Sequence, residues 1–336
     1  MTTPVWGSWG VQIKKARDAM SRRAFCGFSA QHLGELIAEL APRWDARCES
    51  GRRQRRHGAR RRKAGAGPKY ELVFTDRALV TLVYLRTGLT HEALGVIYEV
   101  GSSTIGRAIG EIRPLLAARG FAVPDRPGIR LRTLDDVFAY GAAENITLRI
   151  DGTETPVRRP KAHSPGRRAF VSGKRKQNTI KTTTISDHQG RTLWSGAVRP
   201  GRMHDQTAVR TEGIAERFRM HQAVKAEVDD GPRSGQRVSR PGQRTPEEAE
   251  GHRQRALTQG YEWRELRRRQ SSRRICVEHA NAELRQWHPL RRYTGRRESH
   301  DETHLAIAAL FSDRAARRAT QHKPSTALVL IRPTAC

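Results

Sequence analysis

Cysteine is scarce in this chain, and no long apolar run occurs in it. The four cysteines, Cys26, Cys48, Cys276 and Cys336, show no CxxC or Cys/His ligand spacing. This excludes a zinc ribbon and a disulfide framework, and it predicts free thiols. No apolar stretch reaches about 18 residues, and residues 1–30 lack the pattern of a secretory signal. We therefore expect a cytoplasmic protein that does not bind a membrane.

Acidic residues are also few relative to basic ones. Lys and Arg number 63 against 34 Asp and Glu, which gives a formal net charge of +29. Such a charge favours a polyanionic partner. Only ten of the basic residues are Lys and 53 are Arg, a bias that GC-rich coding also produces. A solvated basic surface therefore stays open as the alternative.

The N-terminal part, residues 1–68, combines a helix pattern with a basic run. Residues 29–41 predict a short amphipathic helix that begins at a Ser29 cap and ends before Pro42. Residues 51–63, GRRQRRHGARRRK, predict a flexible basic arm. The arm is either a DNA contact or a solvated linker.

Residues 69–125 contain three helical patterns in close succession. The predicted N-caps are Thr75, Thr90 and Ser103. Gly88 is expected to end the first helix, and residues 100–102 form a short turn before the third. The pattern is typical of a helix-turn-helix, although plain structural bundles share it. In the DNA-binding interpretation, the third helix offers a major groove the side chains of Ser103, Thr104 and Arg107.

A second domain is predicted at residues 131–315, where the apolar pattern changes from helical to alternating. The predicted strands are residues 146–159, 178–191, 192–200 and 222–229. Gly190 marks a hairpin turn, and a helix is expected at residues 205–218. This order predicts a mixed α/β sheet. Residues 230–272 form a polar insert, and residues 316–336 form a tail.

Three carboxylates in this second domain come from separate elements. Asp151 is interpreted as the end of the first strand, and Asp229 ends the fourth. Glu278 lies on one face of a helix that follows the insert. Open α/β sheets gather ligands at the carboxyl ends of their strands, and carboxylate oxygens suit Mg²⁺ or Mn²⁺. From spacing alone, a helix cap or a surface group is the readier interpretation of any one of these carboxylates.

Four motifs resemble those of the DDE superfamily endonucleases. They are IDGTE at 150–154, FVSGKRKQNTIKT at 170–182, RPGRMHD at 199–205 and EVDDG at 227–231. Over about residues 70–312 the chain is similar to bacterial insertion-sequence transposases of the family numbered five and to Harbinger-type nucleases. Arg274, Glu278 and Arg285 resemble the Tyr, Arg, Glu, Lys signature of such enzymes. Ser271 stands in place of the Tyr, and Arg285 in place of the Lys.

The resemblance implies an α/β fold, in which an all-α helix-turn-helix domain precedes an RNase H-like mixed-sheet catalytic domain. Asp151, Asp229 and Glu278 would be the catalytic triad and would hold two divalent ions, Mg²⁺ or Mn²⁺. Asp230 is the rival for the second position. Arg274 and Arg285 would orient Glu278 or a phosphate.

The function that the resemblance implies is that of a DNA transposase. It would cleave double-stranded DNA at the terminal inverted repeats of an element and join the freed end to a target site. It would act as a homo-oligomer on DNA, in association with the nucleoid. Pro232 and the polar residues after it depart from the family pattern. A catalytically decayed DNA-binding regulator is therefore the alternative, and a basic RNA-binding or packaging protein is a third candidate.

Several other polar residues have two interpretations each. Lys174, Lys176 and Lys181 bracket the second strand and would contact DNA, or they are ordinary exposed side chains. His204 and Asp205 either support the active site or cap the following helix. His300 and His304 show metal-type spacing but lack the glutamate of HExxH, so we expect them on the surface.

Overall fold

The computed structural model describes residues 14–58, 70–124, 126–161, 166–228 and 279–319. The predicted insert at 230–272 lies outside the described residues, and so do Asp229, Arg274 and Glu278.

The N-terminal part is helical. After helical residues 14–20 come a single turn, α1 (Arg23–Cys26), and the long helix α2 (Ala30–Arg56). Ser29 caps α2, because its side chain accepts a hydrogen bond from the backbone N–H of His32 at 3.3 Å. The prediction that this helix ends before Pro42 is wrong. Packing of its buried face, Leu36, Leu40 and Trp44, outweighs the missing N–H of the exposed proline.

The predicted flexible basic arm is also wrong in its first part. Residues 51–56 are the last turns of α2, and His57 ends the helix in the left-handed conformation. Arg52 and Arg56 both pair with Glu49, one or two turns away on the same helix. The rest of the predicted arm, residues 59–63, lies beyond the part that the structure describes.

Three helices follow in helix-turn-helix order: α3 (Phe74–Thr87), α4 (His91–Tyr98) and α5 (Ser102–Ala117). The Thr90 cap and the end of α3 at Gly88 are confirmed. The caps predicted at Thr75 and Ser103 are wrong. The extended residues in front of α3 and α5 are Val73 and Gly101, so both helices begin earlier.

Gly95 fixes the tight turn between α4 and α5. A Cβ atom at this position would lie 2.6 Å from the carbonyl oxygen of Val100, so only glycine permits this close approach. Buried apolar residues of α2 to α5 form one core with the C-terminal part of the chain, and the contributions from that part include Trp287, Leu290, Ile307 and Phe311. The sequence pattern did not indicate this shared core.

The chain then passes through a short hairpin, β1 (Phe121–Ala122) and β2 (Arg130–Leu131), and the helix α6 (Leu134–Ala143). A five-stranded sheet follows. Its members are β3 (Leu148–Pro156), β4 (Thr179–Ser186), β5 (Thr192–Ser195), β6 (Arg199–Pro200) and β7 (Ala226–Val228). The order is β5-β4-β3-β7, and β6 also pairs with β4.

The strand directions make the sheet mixed. β4 is antiparallel to β3, β5 and β6, whereas β7 is parallel to β3. The predicted α/β class is therefore confirmed, and the arrangement fits an RNase H-like fold. Asp151 does not end its strand, because β3 continues to Pro156 in register with β4. The predicted third strand is two strands, β5 and β6, that are separated by residues 196–198.

Helices cover the sheet and lead back to the N-terminal part. The single helix predicted at residues 205–218 is instead two, α7 (Asp205–Thr211) and α8 (Ile214–Met220), because Gly213 adopts φ 73° between them. Helical residues 279–284, the short helix α9 (His288–Arg291) and the long helix α10 (His300–Ala319) complete the described chain.

The expectation that His300 and His304 lie on the surface is wrong. Both face inward from α10, with relative exposures of 1% and 2%. Burial, together with the neighbouring His304, lowers the pKa of His300 to about 3. Burial lowers the pKa of His304 to about 4, and its ring nitrogen Nε2 lies 2.8 Å from the hydroxyl of Ser195. Their i, i+4 spacing therefore places them on the packed face of the helix, and it is not a metal-ligand pattern.

Candidate active site

Asp151 lies in the middle of β3 with a half-buried carboxylate. One oxygen, Oδ1, accepts a hydrogen bond from the backbone N–H of Gly152 at 2.8 Å. The other, Oδ2, accepts one from the side-chain amide of Asn281, also at 2.8 Å. These two hydrogen bonds fix the orientation of the Asp151 carboxylate.

Asn281 holds Asp151 and Thr153 together. Its amide oxygen accepts a hydrogen bond from the hydroxyl of Thr153 at 3.3 Å, while its amide nitrogen donates to Asp151. Asp151 and Thr153 are two residues apart, so they point to the same face of β3. The helix of residues 279–284 therefore docks on this face, 130 positions along the chain from Asp151.

The parallel strand β7 reaches the same position from the other side. The register pairs Leu148 with Ala226 and Ile150 with Val228. In the sequence the next residues are Asp151 and Asp229, and Glu278 precedes Asn281 by three positions. The described segments next to Asp229 and Glu278 thus both end beside Asp151.

The opposite face of β3 carries a separate ion-pair cluster. Glu154 lies directly across from Lys181 on β4, and the ammonium of Lys181 is 3.7 Å from the Glu154 carboxylate. The same ammonium donates to Asp205 at 2.7 Å and to the carbonyl oxygen of Met203 at 3.0 Å. A Cβ at Gly152 would lie 2.8 Å from the Asp205 carboxylate, so glycine makes room for it. A DNA contact by Lys181 would require breaking these bonds.

The other basic site residues are exposed. Lys174 and Lys176 lie in a tight turn before β4, in which the N–H of Lys176 donates to the carbonyl of Ser172 at 3.0 Å. Arg285 follows the Asn281 helix, and its carbonyl accepts a hydrogen bond from Arg291 at 2.8 Å. Their contact with DNA stays a prediction.

The helix-turn-helix residues lie at the start of α5. Ser103 and Arg107 are exposed, and Thr104 is partly buried with its hydroxyl 3.4 Å from the Glu71 carboxylate. The inward side of the same helix, Ile105, Ile109 and Ile112, is fully packed. The N-terminal turn of α5 is therefore accessible to a ligand, while the rest of the helix holds the core.

Glu212 is a buried carboxyl that no sequence pattern indicates. Burial raises its pKa to about 7, and the nearby Thr183 hydroxyl and the charge of Arg199 oppose this effect only in part. The guanidinium of Arg199 lies 3.8 Å from it. Thr183 pairs with Gly152, on the face of the sheet opposite Asp151, so Glu212 supports the sheet from behind the site.

Within the described ranges, no cluster of three or more His, Cys, Asp or Glu side chains has the geometry of a metal site. None of the helices in these ranges is both long enough and apolar enough to cross a membrane. Cys26 and Cys48 are free thiols, as expected.

The described chain thus joins a helix-turn-helix to a mixed sheet that carries Asp151 on an inner strand. Two family models match the chain: "DDE superfamily endonuclease" over residues 150–312 and "Helix-turn-helix of DDE superfamily endonuclease" over residues 70–122. The chain belongs to the DDE superfamily endonucleases.

Among relatives, the chain is similar to the probable transposase for insertion sequence element IS702 of Microchaete diplosiphon. The two are 24% identical over 227 residues, which is 67% of this chain and 74% of the relative. A crystal structure of a pre-cleavage Mos1 transpososome matches 93% of this chain at 10% identity, and its TM-score of 0.19 carries no structural argument.

Proposed function

We propose that this protein is a metal-dependent DNA transposase that cleaves DNA at the ends of an insertion element and joins them to target DNA. Asp151, Asp229 and Glu278 are its catalytic carboxylates. The observation that carries the proposal is the anchoring of Asp151 between two segments: β7, which leads into Asp229, and the Asn281 helix, which follows Glu278.

The parallel register supports the pairing of the two aspartates. If the pairing of Ile150 with Val228 continues by one residue, Asp151 and Asp229 become neighbours across two adjacent strands. Helix geometry supports the third carboxylate in the same way. Residues three apart lie on one helix face, so a helix that begins before Glu278 presents this residue on the side from which Asn281 contacts Asp151.

The donor set fits a hard divalent cation. Carboxylate oxygens are the ligands that Mg²⁺ and Mn²⁺ prefer, and DDE nucleases generally use divalent ions. Such ions, when bound, activate a water nucleophile and stabilise the leaving oxygen. Three carboxylates that converge would repel each other without a cation.

The chain's own residues position the reaction. Asn281 and the Gly152 N–H orient the Asp151 carboxylate, so that it does not rotate away from its neighbours. Arg274 and Arg285, on either side of Glu278 in the sequence, would orient that carboxylate or a DNA phosphate. The start of α5, with Ser103, Thr104 and Arg107, would bind duplex DNA at the element ends, and Lys174 and Lys176 would contact its phosphates. Assembly on DNA as a homo-oligomer belongs to the same proposal.

The experiment measures metal-dependent cleavage of duplexes that carry the genomic repeats flanking the gene. We expect cleavage to require Mg²⁺ or Mn²⁺. Asp151→Asn should abolish cleavage but leave DNA binding unchanged, because asparagine keeps the shape of aspartate without its charge. Asp45→Asn, an exposed position on α2, is the matched control. Unchanged cleavage by Asp151→Asn would refute the triad, and DNA binding without cleavage by the unmodified protein would favour a DNA-binding regulator.

The same cleavage assay tests the residue that orients Asp151 and the choice between Asp229 and Asp230. Asn281→Ala removes the hydrogen bond to Asp151, and loss of such an orienting group typically costs about 10–100-fold in activity or metal affinity. Gln286→Ala, which removes an exposed bond to Arg86, is its control and should leave the rate unchanged. Comparison of Asp229→Asn with Asp230→Asn decides which of the two adjacent aspartates is catalytic.

A further inference from the structure

A basic cleft opens at the far end of β3. Its larger part has a volume of about 780 Å³ and lies between the residues that follow β3 and the turn before β4. A smaller part, about 390 Å³, continues towards the residues that end α9. Arg159, Gln177 and Asn178 line both parts, so the two form one elongated cleft.

Cationic side chains dominate this cleft. Its described lining includes Arg159, Arg167, Arg168, Lys176, Arg291 and Arg292 and contains no aspartate or glutamate. In the described part of the chain, no ion pair joins any of these six side chains to a carboxylate. Like charges that line one concave surface repel each other, so an anionic ligand would stabilise the arrangement.

The cleft is separate from Asp151 but connected to it. Pro156, in the lining of the smaller part, lies five positions along the strand from Asp151, which is about 17 Å at about 3.3 Å per residue. The segment that contains Asn281 at one end contains Arg291 and Arg292 at the other. The backbone N–H of Tyr293 donates to the carbonyl of Pro156 at 2.8 Å, which fixes this segment against the end of β3.

We propose that this cleft binds the sugar-phosphate backbone of the DNA substrate at a position away from the cleaved bond. This inference rests on the proposed function, because it assumes a DNA substrate. The elongated shape and the several guanidinium groups fit a row of phosphodiesters better than a single small anion, since each arginine can form paired hydrogen bonds to one phosphate. Arg159, which lines both parts, is its central residue.

The test is the salt dependence of duplex DNA binding by the full chain in EDTA, where no cleavage is needed. The logarithm of the DNA-binding constant falls linearly with the logarithm of the salt concentration, and each phosphate contact contributes about 0.9 to the steepness of this slope. Arg159→Gln with Arg292→Gln should therefore reduce the slope by about 2. The matched control, Arg210→Gln with Arg219→Gln, removes the same charge from exposed positions on α7 and α8 and should leave the slope nearly unchanged.

Two further double variants distinguish a lost DNA contact from a folding defect. Arg159→Lys with Arg292→Lys keeps both charges and should retain most of the slope. If the glutamine pair melts early, Arg168→Gln with Lys176→Gln probes the same cleft from its other wall. Equal slopes for the cleft variants and the α7–α8 control would overturn the proposal. Since the assay contains no metal, this outcome is independent of whether Asp151 supports cleavage.

Discussion

The helical part of the molecule and the far end of its sheet use arginine in opposite ways. In the helical part, Arg119 is 2% exposed and donates to both Asp313 and Glu39. At the end of β3, Arg159 and Arg292 are exposed in a cleft without acidic residues in its described lining. Burial forces a charge to be paired, because an unpaired ion in the interior is costly. An exposed guanidinium keeps its hydration and stays available for a ligand.

The paired cluster joins distant parts of the chain. Asp313 on α10 accepts hydrogen bonds from Arg119, at the end of α5, and Arg130 on β2. Burial raises the pKa of the Asp313 carboxyl, but the ring of His32, 3.7 Å away, and the charges of Arg119 and Arg130 outweigh this effect and lower the pKa to about 2. The cluster therefore holds the helix-turn-helix, the hairpin and the last helix together.

The largest effect that we expect from this comparison is the loss of the central carboxylate. Asp313→Ala leaves Arg119 buried with only Glu39 as a partner, and breaking a buried pair in this way costs about 3–5 kcal/mol of unfolding free energy. Urea unfolding at neutral pH measures the difference. Asp45→Ala, on the exposed side of α2, is the control and should change stability by under about 0.5 kcal/mol. A loss as small as that of the control would show that the cluster contributes nothing.

Local signals account for the parts of the fold that were predicted correctly. Ser29 and Thr90 cap their helices through side-chain bonds to residues three positions ahead, and the alternation of Ile146, Leu148 and Ile150 indicates β3. The errors occur where distant packing decides. Pro42 lies within a helix because the helix packs on both sides of it, and His300 is buried because the apolar stripe of α10 includes it.

In the candidate site too, local sequence signals indicate some residues, whereas contacts between distant parts of the chain decide others. The sequence motif identified Asp151, but no local pattern indicates that Asn281, far along the chain, donates to it. The position of Lys181 beside a strand predicts a DNA contact, yet strand alternation places this side chain on the other face with Asp205 and Glu154. Asp229 and Glu278 lie outside the described residues, and their roles stay predictions.

A second, smaller effect concerns His300, a buried imidazole on α10 whose ring nitrogens have no hydrogen-bond partner among the described residues. The folded pKa of His300 is lowered to about 3, so the folded protein keeps it neutral while the unfolded chain binds a proton near pH 6.5. The contribution of neutral His300 to the unfolding free energy is therefore fully present above about pH 6.5, and it is lost as the pH falls towards the folded pKa of about 3.

His300→Leu should remove part of this pH dependence. Between pH 7 and pH 5 we expect the wild type to lose up to about 2 kcal/mol more unfolding free energy than the variant. Urea unfolding at the two pH values gives the difference, in which the titration of other groups cancels. His188→Leu, in the exposed turn after β4, is the control. Parallel pH profiles for the wild type and His300→Leu would contradict the assignment.

The smallest effect separates pairing from burial. Arg126 and Glu144 form an ion pair, but their side chains are 55% and 36% exposed. If pairing alone stabilised the fold, Arg126→Gln would cost as much as Asp313→Ala. Because water screens this pair and both side chains lose mobility when it forms, we expect a cost of about 0–1 kcal/mol.

Urea unfolding of Arg126→Gln, Glu144→Gln and the double variant isolates the pair energy. This energy should decrease in 1 M salt, where the Debye length is about 3 Å. A coupling above about 2 kcal/mol would mean that exposed arginines also stabilise this fold, and the distinction between the buried cluster and the exposed cleft would no longer hold.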